Sequence, residues 1–132
     1  MRNAVLTFAA LILCGCQSMG ETHMTSATSG APIVFFDIAG PDAATLKAFY
    51  AGNFGWSIDA DNLIKAGALD GALRQDPAEK IIYIGVPDLD AAIAKVNASG
   101  GKVVTPKIPI PTGTFVLFAD PAGNRMGLVQ LK

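Results

Sequence analysis

Asp37 and Tyr83 are the polar side chains best placed to orient a small molecule, with Arg74 a possible neighbour, and few other groups could do chemistry beside them. The single histidine, His23, and both cysteines, Cys14 and Cys16, lie within the first 23 residues. A body without His or Cys holds no Ser–His or Cys–His pair. It also holds no thiolate zinc site and no disulfide. Asp37 is the one acid or base on the inner side of the first strand. Acid–base work by such a group contributes about 10²–10⁴-fold to a rate. The plainer role for Asp37 is to cap a neighbouring backbone or to sit at a strand end. Phe35 and Tyr83 carry flat faces on which a planar ligand could stack, or which could simply pack the sheet.

Several partner classes fall away on composition. The formal charge is −1 and Lys and Arg lie singly along the chain. Nucleic acid binding needs concentrated basic residues, so no nucleic acid is expected. At 132 residues the chain is one domain's worth of sequence, long enough to bury a core.

The first 31 residues read as an address. Arg2 precedes an apolar run over 4–13, too short to cross a membrane and suited to a secretory signal over 1–15. Leu13-Cys14-Gly15-Cys16 resembles the bacterial lipobox, which implies that Cys16 is acylated and becomes the new N-terminus. Acyl chains contribute about 0.8 kcal/mol per buried CH₂, so two or three hold a protein on a bilayer. Gln17 in place of an aspartate implies transport onward, to the outer membrane rather than the inner. Residues 16–31 then form a Ser/Thr/Gly-rich tether in which His23 and Met24 are ordinary polar and apolar residues.

From residue 32 to 132 the chain repeats itself. IVFFDIAGPDAATLK (33–47) and IIYIGVPDLDAAIAK (81–95) align without a gap. Each is an apolar strand, a polar corner and an Asp-Ala-Ala that opens a helix. Asp42 and Asp90 are N-cap or first-turn carboxylates. Alternation sends Val34, Phe36 and Ile38 to one side and Ile33, Phe35 and Asp37 to the other; Ile82, Ile84 and Val86 likewise oppose Ile81, Tyr83 and Gly85. The uniformly apolar sets belong under the helices. Leu46, Phe49 and Tyr50 form the apolar stripe of the first helix, which ends at Gly55. Leu89, Ile93 and Val96 form that of the second, which ends at residues 99–101. Further strands are predicted at 56–59, 63–66 and 72–75, then at 102–105, 114–119 and 126–131. Asp120-Pro121-Ala122-Gly123-Asn124 supplies the turn before the last of these. The order is βαβββ twice, an α+β fold with modules over about 33–76 and 80–131.

That duplicated order, with FYAGNFGW in the first half and DPAGNRMGLVQ closing the second, resembles the vicinal oxygen chelate superfamily. Its members include glyoxalase I, extradiol dioxygenases and bleomycin-resistance proteins. The resemblance implies two tandem modules whose curved mixed sheets enclose a cavity, within one chain or across a homodimer. In its enzymes a divalent metal in that cavity chelates the substrate as a Lewis acid. Carried over position by position, the ligands would fall at Ile33, Ile81 and Gly127, none of which can bind a metal; Phe35, one step along, is no better. The fourth would come from GALR (71–74), with Asp70, Gln75 and Asp76 close by. No metal and no cofactor is therefore expected, and Gly127 offers room on the sheet instead.

The candidate ligand-binding residues are Phe35, Asp37, Trp56, Arg74, Tyr83, Gly127 and Val129, with the 105–113 loop nearby. Trp56 is equally a core residue, and Arg74 and Lys107 equally solvated surface. Three readings follow. The domain binds a small organic molecule without turnover, or its sheet face is a dimerisation module, or it is a lyase- or oxidoreductase-type enzyme of divergent site.

Overall fold

A computed structural model describes residues 30–132. The apolar run, Cys16 and the tether through residue 29 lie outside them. The elements run β1 (Ile33–Gly40), α1 (Ala43–Phe54), β2 (Ser57–Ile58), β3 (Leu63–Lys65), β4 (Asp70–Gln75), β5 (Glu79–Gly85), α2 (Leu89–Ala98), β6 (Lys102–Val103), β7 (Ile108–Ile110), β8 (Gly113–Ala119) and β9 (Arg125–Leu131). No helix of the described residues is long and apolar enough to cross a membrane.

Both modules close in the same way. In the first, β1 pairs parallel with β4, which continues through antiparallel β3 and β2. In the second, β5 pairs parallel with β9, which continues through antiparallel β8 to β6. β1 and β5 then pair antiparallel and join the halves into one nine-stranded sheet, ordered β2-β3-β4-β1-β5-β9-β8-β6 with β7 on β8. This is the mixed α+β, curled-sheet architecture that the repeat implies.

The caps follow from side-chain chemistry. Asp42 accepts from the Thr45 backbone N–H and so satisfies a free donor of the first turn of α1. α2 is capped by Asp88, and Asp90 is the acidic residue of its first turn. Gly55 ends α1 in the left-handed region at φ 67°, which a glycine adopts without steric cost. In the turn before β9, Asp120 Oδ1 accepts from the N–H groups of Ala122 and Asn124, and Gly123 takes φ 90°.

Both helices lie on one side of the sheet. There Leu89, Val116, Phe118 and Leu128 are buried with Ile84, Val86, Ile93 and Val96 packed against them. On the helix-free, concave side a second cluster forms from Ile81, Tyr83, Leu117 and Val129, flanked by Val34, Phe35, Ile110 and Phe115. Ile64, Ile81 and Val116 are fully enclosed. Burial on that scale contributes about 1.5–3 kcal/mol per large aliphatic side chain.

Three details depart from expectation. β1 and β5 shift register between Ile33 and Phe35, so Ile33 faces Ile84 on the helical side and Val34 turns toward the concave cluster. The bulge adds one residue, and alternation inverts across it. β7 was absent from the predicted strands because Pro106, Pro109 and Pro111 argue against one; at a sheet edge Pro109 needs to donate no ladder bond. Phe49, assigned to the buried stripe of α1, is 53% exposed.

Candidate functional site

The four central strands, β4, β1, β5 and β9, bring the polar residues of the concave face together. Asp37, from β1, is 2% exposed. Its Oδ2 accepts a 2.8 Å hydrogen bond from the Tyr83 hydroxyl, and its Oδ1 accepts one of 3.1 Å from the Arg74 guanidinium. Arg74 Nε lies 3.0 Å from Oδ2, but its N–H is not aimed along that line. That contact is an ion pair, and Nε is left buried without a hydrogen bond. A buried carboxylate is tolerable only when paired and hydrogen-bonded, and Arg74 and Tyr83 meet both conditions.

The network continues outward. Arg74 contacts Asp76 at 2.6 Å and Glu79 at 3.5 Å, and Glu79 reaches Arg125 at 3.1 Å. These groups and the Pro77-Ala78 corner line an open cleft of about 400 Å³. Glu79 and Arg125 were not among the expected site residues. The signal was present: each stands two residues before a position already assigned to the concave face, Ile81 and Gly127 respectively. Both therefore lie on the concave side, offset along the strands, and the long Arg125 side chain reaches back to Glu79.

Aromatic rings form the wall behind Asp37. Tyr83 meets Phe35 and Phe115 edge-on, with centroids 5.8 and 5.6 Å apart. Gly127 faces Tyr83 directly across β5 and β9. A Cβ on it would fall 2.1 Å from Tyr83 Cδ1. The space that a glycine leaves on this strand is thus taken by the Tyr83 ring, not held open for a ligand.

The surroundings favour the protonated forms of Tyr83 and Arg74. Burial raises the Tyr83 phenol well above its ordinary pKa, and the hydrogen bond to Asp37 and that residue's charge raise it further. Burial alone would lower the Arg74 pKa; its hydrogen bond to Asp37 and the charges of Asp37 and Asp76 more than offset this, and the net shift is upward. Both Asp37 oxygens have partners, and the side chain is closed to solvent. In this arrangement Asp37 positions Arg74 and Tyr83 from a site closed to solvent.

Six of the seven expected site residues share the concave side: Phe35, Asp37, Arg74, Tyr83, Gly127 and Val129. Asp37, Tyr83, Gly127 and Val129 are buried, so they build the wall, whereas Arg74 reaches the cleft. Trp56 is not with them. It stacks on Tyr50 at 5.2 Å and meets Phe36 edge-on, on the helical side, because the turn after Gly55 carries it under α1. Ile110 of the 105–113 loop packs on the concave cluster, and Lys107 pairs with Asp90 of α2.

The residues present do not fit a divalent metal of the superfamily type. Ile81 is enclosed, Gly127 lies under Tyr83, and Ile33 faces the other side of the sheet. The one buried carboxylate among the described residues, Asp37, is already paired with a guanidinium. Among the described residues no group of three His, Cys, Asp or Glu side chains converges, whereas a hard cation such as Mg²⁺ or Ca²⁺ wants six or more oxygens.

The glyoxalase-like domain family matches residues 33–129. The chain belongs to that family. It is 31% identical to the anthracycline biosynthesis protein DnrV of Streptomyces peucetius over 129 residues, which cover 76% of this chain and 46% of the relative. The chain spans less than half the length of the curated relatives it matches. Among solved structures, a hypothetical protein, BH1468, from Bacillus halodurans superposes with a TM-score of 0.61 at 14% identity, covering 79% of this chain and 96% of that one. Methylmalonyl-CoA epimerase from Mycobacterium tuberculosis superposes at 0.59 and 17% identity, covering 83% and 94%. At such identities the structures share the fold.

Proposed function

We propose that this glyoxalase-like domain binds a small organic acid at the Arg74–Arg125 cleft, without a metal and without turnover, while lipid on Cys16 holds it at the cell envelope. The observation that carries the binding reading is the full engagement of Asp37 by Tyr83 and Arg74. It ties up the buried carboxylate of the first strand and fixes a guanidinium at the cleft, whose other carboxylates, Asp76 and Glu79, are paired with Arg74 and Arg125. Arg125, half-exposed opposite, supplies a second guanidinium. A ligand carboxylate would exchange for the long Arg74–Glu79 contact and gain charge-assisted hydrogen bonds. The relatives named for anthracycline biosynthesis and methylmalonyl-CoA epimerisation make small organic substrates a reasonable class. The envelope reading rests on the lipobox-like Leu13-Cys14-Gly15-Cys16 and on Gln17, which favours the outer membrane.

Thermal shifts of the full chain in detergent, with small carboxylic acids, their neutral amides and CoA thioesters, test the binding. At least one acid should stabilise the chain, its amide should not, and Arg125→Ala should abolish the effect with the acid recovered unchanged. Equal stabilisation by amides would overturn the assignment of the cleft. Conversion of the compound, lost in Asp37→Asn, would restore the enzyme reading. Metabolic labelling with palmitate, present in the wild type and absent from Cys16→Ala, tests the anchor.

A further inference from the structure

The outward side of α1 is unlike that of α2. α1 exposes Thr45 and Asn53 among Ala44, Ala48, Gly52 and two aromatic rings, Phe49 and Phe54, whereas α2 exposes Asp90, Lys95 and Asn97 among alanines and no aromatic ring. Phe49 and Phe54 are 53% and 61% exposed, the latter more than any other large apolar side chain among the described residues. They are not isolated. Phe49 meets Tyr50 and Phe54 at centroid distances of 5.2 and 6.2 Å, Phe54 lies 6.0 Å from Trp56, and Tyr50 stacks on Trp56. Four rings therefore form one continuous surface at the C-terminal end of α1.

The position of that surface matters as much as its composition. The N-terminal half of α1 lies over the end of β1, where a Cβ on Gly40 would touch Leu46. The helix then runs back, and Trp56 meets Phe36 near the start of β1. The rings thus stand at the edge of the domain where the chain enters at Ile33. Sixteen residues separate Ile33 from Cys16. Such a stretch spans at most about 55 Å, roughly one and a half times the width of a domain this size, so it holds the domain close to the surface.

We propose that Phe49, Tyr50, Phe54 and Trp56 form a membrane-interface contact that seats the domain on the lipid surface beside its own anchor. The proposal builds on the Cys16 reading but makes a separate claim about the folded surface. Trp and Tyr rings favour the headgroup level, with apolar body inward and polar edge toward water, and Phe enters slightly deeper. A tethered domain meets the surface at high effective concentration, so a weak contact suffices. Nearby cations are engaged: Lys47 donates to the Asp59 carbonyl, and Lys65 pairs with Asp70. The contact is therefore apolar and should be insensitive to salt and to anionic lipid. Seated in this way, α1 faces the bilayer and the concave cleft, on the opposite side of the sheet, faces away from it.

Trp56 is the chain's one tryptophan and reports on its own patch. The full chain is reconstituted into phosphatidylethanolamine–phosphatidylglycerol vesicles carrying acyl-brominated lipid, and flotation is scored alongside Trp56 quenching. Expected are flotation, strong quenching at both low and high salt, and quenching largely lost in Phe49→Ser/Phe54→Ser although that variant still floats. Both positions are more than half exposed, so the variant should keep its circular dichroism; Phe54→Ser alone serves if it does not. Flotation without Trp56 quenching would overturn the patch and leave the anchor standing. The unacylated Cys16→Ser chain separates the claims further. Vesicle-dependent quenching there, about tenfold weaker in Phe49→Ser/Phe54→Ser, supports the patch even if acylation fails. A Trp56 shift that follows protein concentration without vesicles would make the surface a contact between chains and overturn the proposal.

Discussion

In the second half of the chain, α2 turns Leu89, Ile93 and Val96 to the sheet and Asp90 and Lys95 to water. In the first half, α1 spreads apolar side chains around its circumference and leaves Phe49 and Phe54 outside. The same βαβββ plan thus yields one self-contained half and one half with a surface still to cover. Both core clusters centre on the second module, and the first buries only Ala39, Ala43, Ile64 and Leu73 as full core residues. The modules also share a device used on opposite faces. Phe36 covers Gly71 on the helical side, and Tyr83 covers Gly127 on the concave side, each an aromatic of the module's first strand set beside a glycine of its last. What a duplicated sequence retains, on this evidence, is strand pairing, while the surfaces diverge.

The sharpest way to break this comparison is at Asp37, which binds residues of both halves. Asp37→Ala leaves the Tyr83 phenol without its partner and strips the Arg74 guanidinium of its buried one, with Asp76 and Glu79 remaining, and should cost about 3 kcal/mol in urea unfolding. A loss under about 1 kcal/mol would mean that the network does not hold the modules together. Ile81→Ala should cost about 2–5 kcal/mol through the cavity it opens. Phe49→Ala in detergent solution should stay within about 0.5 kcal/mol, because that ring leans on solvent. Comparable losses for the two would contradict the assigned difference between the halves. Gly127→Ala forces the Tyr83 ring to move, and about 1–3 kcal/mol is expected.

A further effect is the pH dependence of Tyr83. Its folded pKa lies above the unfolded value of 10.0, so the unfolded chain loses this proton first as pH rises. The stabilisation is complete below pH 10 and is lost progressively above it. Unfolding at pH 9 and pH 11 should show the loss in the wild type and a smaller one in Tyr83→Phe, which itself costs about 1 kcal/mol at neutral pH.

Much of the fold was legible because local signals agreed. The aligned 33–47 and 81–95 segments, the Asp caps, Gly55 and the Asp120–Asn124 turn each specify their structure from within a few residues. The bulge at Val34 was not legible, since an extra residue in one strand has no marker until its partner is known. Trp56, open in sequence to both a cavity and a packing role, is packed by the turn after Gly55 against Tyr50 and Phe36. The shared side of Phe35, Asp37 and Tyr83 followed from alternation. That Asp37 is bound from both sides did not, because Arg74 is 37 residues away and only the parallel pairing of β1 with β4 brings it alongside. Alternation also puts Glu79 and Arg125 on that side, but only the assembled sheet brings them to Arg74.

The engagement of Asp37 is tested most directly by metal binding. The purified full chain is dialysed against Zn²⁺, Ni²⁺, Mn²⁺ and Mg²⁺ in turn, and its metal content is then measured. With Asp37 held by Arg74 and Tyr83, and Ile81 and Gly127 in the superfamily's ligand positions, no stoichiometric metal should be retained. One metal ion per chain, lost in Asp37→Asn, would show that the carboxylate is free to coordinate and would contradict a cleft that binds without a metal.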